Sequence, residues 1–77
     1  MDLKAILTDI ARAIVDDVDA VTVTETVDGD KVTLVLSVSE DDTGMVIGRH
    51  GKIAKAIRAI MKVAANNCGK RVDVKIE

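Results

Sequence analysis

The chain reads as an α+β domain: a mixed three-stranded sheet with its helices packed on one face. Three features lead there. Two amphipathic helical stripes bracket the middle of the sequence, two alternating segments meet at Asp28-Gly29-Asp30, and a third alternating segment follows the second long stripe. A tight hairpin makes its own strands antiparallel, while a strand–helix–strand path returns most easily as a right-handed parallel crossover. At 77 residues there is room for one domain, spanning 1–77, and for one core.

Asp2 stands where it can cap a first helix, whose apolar positions Leu3, Ile6, Leu7, Ile10, Ile14 and Val18 follow the spacing of one buried stripe. Residues 21–27 then alternate β-branched and polar side chains, as a strand with one face on a core does. Gly29 supplies the positive φ that a tight turn needs. In the second strand, 31–38, Val32, Leu34, Leu36 and Val38 share one face, leaving Lys31, Thr33, Val35 and Ser37 on a face that can stand in water. Residues 39–43 are acidic and polar, a turn or helix start, and they lead into the short apolar piece Met45-Val46-Ile47.

After two glycines a long helix is expected over 52–66, with Ile53, Ile57, Ile60, Met61 and Ala64 on its core face. At about 100° per residue, Lys52, Lys55, Arg58 and Lys62 fall within about 120° of one another on the opposing side. Asn67 and Gly69 stop the helix, and Val72, Val74 and Ile76 alternate in a closing strand.

Composition narrows the function. Hydrophobic residues make up 48% of the chain and aromatic ones 0%, so Val, Ile, Leu, Ala and Met must fill the core. Modules that stack bases on aromatic rings, such as the RRM sheet and most OB-folds, lose weight for the same reason. A single cysteine, Cys68, supports neither an internal disulfide nor a thiolate zinc site, and reads as a small core-edge residue. No apolar run approaches the length of a membrane span and no leader is evident, so a cytoplasmic protein with no membrane partner is expected.

The net charge of −2 conceals a segregation along the chain. Residues 1–42 hold eleven acidic against three basic side chains, whereas 43–72 hold seven basic ones and no acid. A basic segment in an acidic body attracts a polyanion locally and resists indiscriminate binding.

Within that basic segment lies Gly48-Arg49-His50-Gly51, between a short apolar piece and the long helix. Glycines three apart let the backbone turn sharply and let a sugar-phosphate chain approach, at a helix N-terminus whose N–H groups favour phosphate. Arg49 adds a fork of donors, and Lys52 and Lys55 continue the positive track, with Arg58 further along the same side. The spacing is neither that of a Walker loop nor that of a dinucleotide fingerprint. A bare Gly-x-x-Gly is common in ordinary turns, so its surroundings decide.

Those surroundings resemble the KH family. Val46-Ile47-Gly48-Arg49-His50-Gly51-Lys52-Ile53 is similar to that family's Val-Ile-Gly-x-x-Gly core, preceded by a strand and followed by an amphipathic helix. The helix and hairpin before the loop resemble the bacterial type II arrangement, α-β-β-α-α-β. The approach Glu40-Asp41-Asp42-Thr43-Gly44 and the ending Gly69-Lys70-Arg71-Val72 look like the small single-domain KhpA-like proteins. The resemblance covers nearly the whole chain. It implies that the loop clamps about four nucleotides of single-stranded RNA, or of DNA in the same form, with bases over a shallow apolar groove. Ile47 and Ile53 are the nearest groove candidates, although their spacing alone favours a core position over the groove.

His50 has neither a positioned nucleophile or carboxylate nor further metal ligands beside it in the sequence, so it reads as a loop donor to phosphate or ribose. No cofactor, metal or enzymatic activity is expected. One groove of about four nucleotides reads little sequence, which makes a homodimer, or a heterodimer with a second RNA-binding protein, the expected route to avidity. The resemblance implies an RNA chaperone-like regulator. The competing expectation is a KH-like domain that docks a protein and ignores RNA.

Overall fold

A computed structural model describes residues 2–77. The element order is α1 (Leu3–Ile14), β1 (Thr22–Asp28), β2 (Lys31–Ser37), α2 (Thr43–Ile47), α3 (Lys52–Asn67) and β3 (Arg71–Ile76). Single 3₁₀ turns precede β1, α2 and α3, at Val18–Ala20, Glu40–Asp42 and Arg49–Gly51. The sheet order is β1-β2-β3, with β1 antiparallel and β3 parallel to the central β2. This is the α+β, mixed-sheet, type II KH-like arrangement expected from the sequence.

α1 starts where Asp2, in extended backbone, accepts the Ala5 N–H at 3.2 Å, satisfying one of the donors that a helix start leaves free. Leu3, Leu7 and Ala11 are buried, with Ile6, Ile10 and Ile14 half-buried beside them. The stripe expected to run on to Val18 ends at Ile14. Val15 is already extended (φ −85°, ψ 159°) and Val18 lies in the following turn, 43% exposed. The cause lies far along the chain: the Asp42 carboxylate accepts the Asp17 N–H at 3.0 Å and holds that backbone outside the helix.

Asp28 pairs with Lys31, so the hairpin turn consists of Gly29 and Asp30. Gly29 has φ +62° and Asp30 has no positive φ, the combination that a II′ turn requires. Val23, Val32, Leu34, Leu36 and Val74 point into the core, while Thr22, Thr24 and Thr26 face solvent.

The helices cover the inner face of the sheet. α3 buries Ala54, Ile57, Met61 and Ala65, not the arc expected from hydrophobicity. Ile53, Ile60 and Val63 are 37%, 52% and 61% exposed. The buried face is turned by about 60° from the expected one, at about 100° per residue. The apolar residues of α3 span far more than one face, so hydrophobicity cannot choose among them. Ile57, Met61 and small Ala65 join the core cluster, while Ala54 is buried outside it. Leu7, Leu34, Leu36, Val46 and Met61 are fully buried and make the aliphatic centre. Among the described residues no helix is long and apolar enough to cross a membrane.

Candidate nucleic-acid interface

α2 is only five residues long, yet it has two fixed points. Val46 is fully buried in the core, and Asp42, just before the helix, is 3% exposed. The Asp42 carboxylate accepts from the Asp17 N–H and from Ser39 Oγ at 3.2 Å, which ties the α1–β1 connection to the start of α2. The far end of α2 is thereby held as well, and there the chain reaches Gly48.

Gly48 has φ 75° and ψ 174°, and its N–H closes α2 by donating to the Gly44 carbonyl at 2.9 Å. The Ile53 side chain folds back over it: a Cβ on Gly48 would lie 2.5 Å from Ile53 Cγ1. His50 (φ 58°, ψ 25°) and Gly51 (φ 73°, ψ 15°) are both left-handed, and the Gly51 N–H donates to the Gly48 carbonyl at 3.1 Å. Two consecutive left-handed residues reverse the chain into α3.

The result is a tight, outward loop. Among the described residues, the N–H groups of Arg49 and His50 have no hydrogen-bond partner, and neither side chain joins a hydrogen bond or ion pair. Both residues are exposed. Gly51 opens α3 with no side-chain cap, so the helix start keeps its positive end unneutralised. Lys52 and Lys55 are exposed and likewise unpaired, and no acidic residue stands in the first turn. Free N–H groups, a helix N-terminus and four basic or proton-accepting side chains thus converge on one open surface, and such a surface can hold phosphate oxygens.

The remaining expected site residues are arranged differently from one another. Ile47 and Ile53, for which spacing alone favoured a core position, are both at the surface, 39% and 37% exposed. Ile53 in addition braces the loop through Gly48. Arg58 turns toward the sheet, where its Nε donates to the Val74 carbonyl on the outer edge of β3 at 3.1 Å. Sequence reasoning missed three of these relations: the Asp42 tie, the Ile53 brace and the Arg58 bond. In the sequence nothing separates Asp42 from Asp41, and the other two are contacts across a turn or between elements.

Cys68 is half-buried and donates Sγ–H to the Ala64 carbonyl at 3.1 Å. No group of three metal-ligating side chains occurs among the described residues. A cavity of about 360 Å³ lies at the hairpin end of the sheet, lined by Leu3, Val27, Val32, Cys68 and Lys70 among others, and holds none of the loop residues.

Comparison with known proteins gives the family. The profile described as KhpA/KhpB, KH domain matches residues 4–76. The RNA-binding protein KhpA of Clostridium acetobutylicum is 45% identical over 74 residues, 96% of this chain and 99% of that one. The RNA-binding protein KhpA of Caldanaerobacter subterraneus is 46% identical over 67 residues, 87% and 89% of the two chains. That of Aquifex aeolicus is 40% identical over 75 residues, 96% and 94%. With the type II order of its elements, the glycine-flanked loop at the head of α3 and a profile match from end to end, this chain belongs to the KhpA/KhpB family of KH domains.

Proposed function

We propose that this protein binds short single-stranded RNA without catalysis, gripping the sugar-phosphate backbone at Gly48, Arg49, His50 and Gly51. Lys52 and Lys55 extend the grip along α3, Ile47 and Ile53 offer aliphatic surface to the bases, and Arg58 flanks them on the sheet side. The observation that carries this reading is the loop itself: two unpartnered N–H groups and two unpaired side chains beside an uncapped helix start. The relatives, each named an RNA-binding protein, support the same ligand.

The test is a titration with short single-stranded RNA followed by NMR and repeated over a range of salt. If about four phosphates are neutralised, log affinity falls with log salt at a slope of roughly −3. Substituting Arg49 and His50 together by Asp puts carboxylates where phosphate sits, and binding drops by at least about a hundredfold while the fold survives. Unchanged binding by the folded double variant, or salt-independent binding by the parent, overturns the proposal. A DNA strand of the same sequence gauges how far the 2′-hydroxyl matters.

One surface favours an additional protein contact. Ile60 and Val63 are exposed, with Ala56 and Ala59 one turn before them, on the side of α3 away from Arg58. We propose that this stripe pairs with a second copy of the chain or with another RNA-binding protein, giving two grips on one RNA. In that form the protein acts in the cytoplasm as an RNA chaperone-like regulator.

A further inference from the structure

The two edges of the sheet are finished differently. On β3, Arg58 Nε meets the Val74 carbonyl at 3.1 Å, and Arg71 and Lys75 add charge along the strand, which partly closes that edge. β1 is left open. Asp28 and Lys31 flank a two-residue turn as a hydrogen-bonded pair, so the even-numbered residues of β1 turn their backbone groups to β2. Val23, Glu25 and Val27 therefore turn theirs outward. Among the described residues none of those outward groups has a hydrogen-bond partner. The register with β2 runs unbroken from Thr22 to Asp28, so no bulge twists the edge away, and the strand contains neither proline nor lysine. A seven-residue edge of this kind is a template for another strand.

Charge decides which strand fits. Residues 2–30 hold eight acidic side chains against two basic ones, Lys4 and Arg12. All eight are exposed, and among the described residues only Asp30 is ion-paired. Glu25 stands mid-strand with Leu34 as its cross-strand neighbour, and its side chain lies at the cavity of about 360 Å³. Asp2 shares that cavity, which has aliphatic walls at Leu3, Val27 and Val32; Lys70 also reaches it and pairs with neither carboxylate. Two carboxylates beside aliphatic walls suit a long basic side chain, whose stem packs on the walls while its charge stays at the carboxylates. A second copy of β1 joined antiparallel about Glu25 would set carboxylate against carboxylate, which disfavours self-pairing.

We propose that the open edge of β1 takes an extended basic segment of another protein as a fourth, antiparallel strand, with a lysine or arginine of that segment beside Glu25. Backbone hydrogen bonds to Val23, Glu25 and Val27 supply the affinity, and the charge beside Glu25 supplies the selection. On the other face of the sheet the added strand lies along the exposed hydroxyls of Thr22, Thr24 and Thr26. The cavity holds none of the loop residues, so occupation of this edge does not depend on what the loop binds.

The probe is the peptide Lys-Val-Thr-Lys-Thr-Val-Lys, blocked at both ends, titrated into the parent protein and followed by amide NMR. Paired antiparallel over 22–28, it puts its central lysine opposite Glu25 and its valines opposite Val23 and Val27. The expected result is a saturable shift of the Glu25 and Val27 amide signals, with their hydrogen exchange slowed at least about tenfold at saturation. The same peptide N-methylated at its central lysine and both valines keeps its charge but loses the amides that face β1, and it leaves these signals in place. A peptide with glutamate for each lysine does the same. Glu25→Lys, a change at an exposed residue outside the RNA-binding surface, keeps the fold and weakens binding of the basic peptide about tenfold. If the N-methylated peptide binds as tightly as the unmodified one, the attraction is charge alone; if Glu25→Lys binds undiminished, the carboxylate selects nothing; either result overturns the proposal. So does exchange at Glu25 and Val27 that is already slow in the protein alone and slows further with its concentration, because a second copy then holds the edge. If the basic peptide moves no signal of β1, Glu25 merely guards the edge against pairing and the proposal fails.

Discussion

A methyl group on Gly48 would sit 2.5 Å from Ile53 Cγ1 and 2.8 Å from Ile53 Cβ, whereas one on Gly51 would meet nothing within 4 Å. Both residues have positive φ, 75° and 73°. Gly51 is left-handed helical, where alanine carries backbone strain of about 1 kcal/mol. Gly48, with ψ 174°, lies in a region that only glycine ordinarily occupies, where the strain is about 2 kcal/mol. Gly48→Ala adds an overpacking cost on top, for a total of about 3 kcal/mol. It also displaces Ile53 from the loop, so RNA affinity falls with stability. Gly51→Ala costs about 1 kcal/mol and leaves Ile53 where it is. Thermal unfolding of the two variants checks this, and a loss in Gly48→Ala no more than about 1 kcal/mol beyond that in Gly51→Ala, the difference in backbone strain alone, would mean that the Ile53 contact is unimportant. In Gly48→Ala, trimming Ile53 to Ala relieves the contact only in part, because the Cβ of residue 53 stays 2.8 Å from the new methyl.

At the scale of elements, the least obvious interaction is the Asp42 tie. One buried carboxylate receives the Asp17 N–H and Ser39 Oγ, joining two connections that the sequence separates by 25 residues. Hydrogen bonds to a charged group contribute about 1.5–3 kcal/mol each, and removing the carboxylate leaves a part-buried N–H without a partner. Asp42→Ala is therefore expected to destabilise the fold by about 2–3 kcal/mol in denaturant unfolding. Asp42→Asn keeps an acceptor in place and loses less than half of that. If the two variants match the parent, α2 is held by Val46 alone. This interaction also marks what the sequence could and could not convey. Strands were legible because Val32, Leu34 and Leu36 recur at every second position, opposite Lys31, Thr33 and Ser37, and the hairpin because Gly29 can take a positive φ. The position of the loop was legible too, since two glycines three apart interrupt an apolar run at the head of a basic helix. The end of α1 was not: Ile14 to Val18 continues the helical period, and only a carboxylate from a distant turn diverts Asp17. The buried face of α3 was not legible either, because Ile53, Ile60 and Val63 are as apolar as the residues that the sheet covers. Choosing among them takes the packing of the sheet and of the other helices, which buries small Ala54 and Ala65.

For the molecule as a whole, that leftover hydrophobicity has a consequence. α3 presents three faces: one on the core, one cationic with Lys55, Arg58 and Lys62, and one aliphatic with Ile60 and Val63 exposed by 52% and 61%. A chain with formal net charge −2 and no aromatic residue gains nothing in solubility from two large aliphatic side chains in water. Two copies packing this face about a twofold axis would bury it twice over in one self-complementary contact. Alanines at 56 and 59 let the helices approach closely, and the cationic faces remain on the outside of the pair. Each copy then offers its loop to the same RNA, so the second contact forms at an effective concentration set by the dimer and overall affinity rises by about a hundredfold or more. Ile60→Asp tests this directly. The side chain is outside the core, so the monomer keeps its fold and its loop, while two carboxylates would face each other across the contact. Sedimentation of the parent at micromolar concentration is expected to give a dimer and that of Ile60→Asp a monomer, with binding weakened on long RNA and unchanged on a strand short enough to fill one loop. A parent that stays monomeric alone and sheds no affinity on Ile60→Asp assigns the stripe to a different protein. An Ile60→Asp dimer of undiminished stability places the contact on another face.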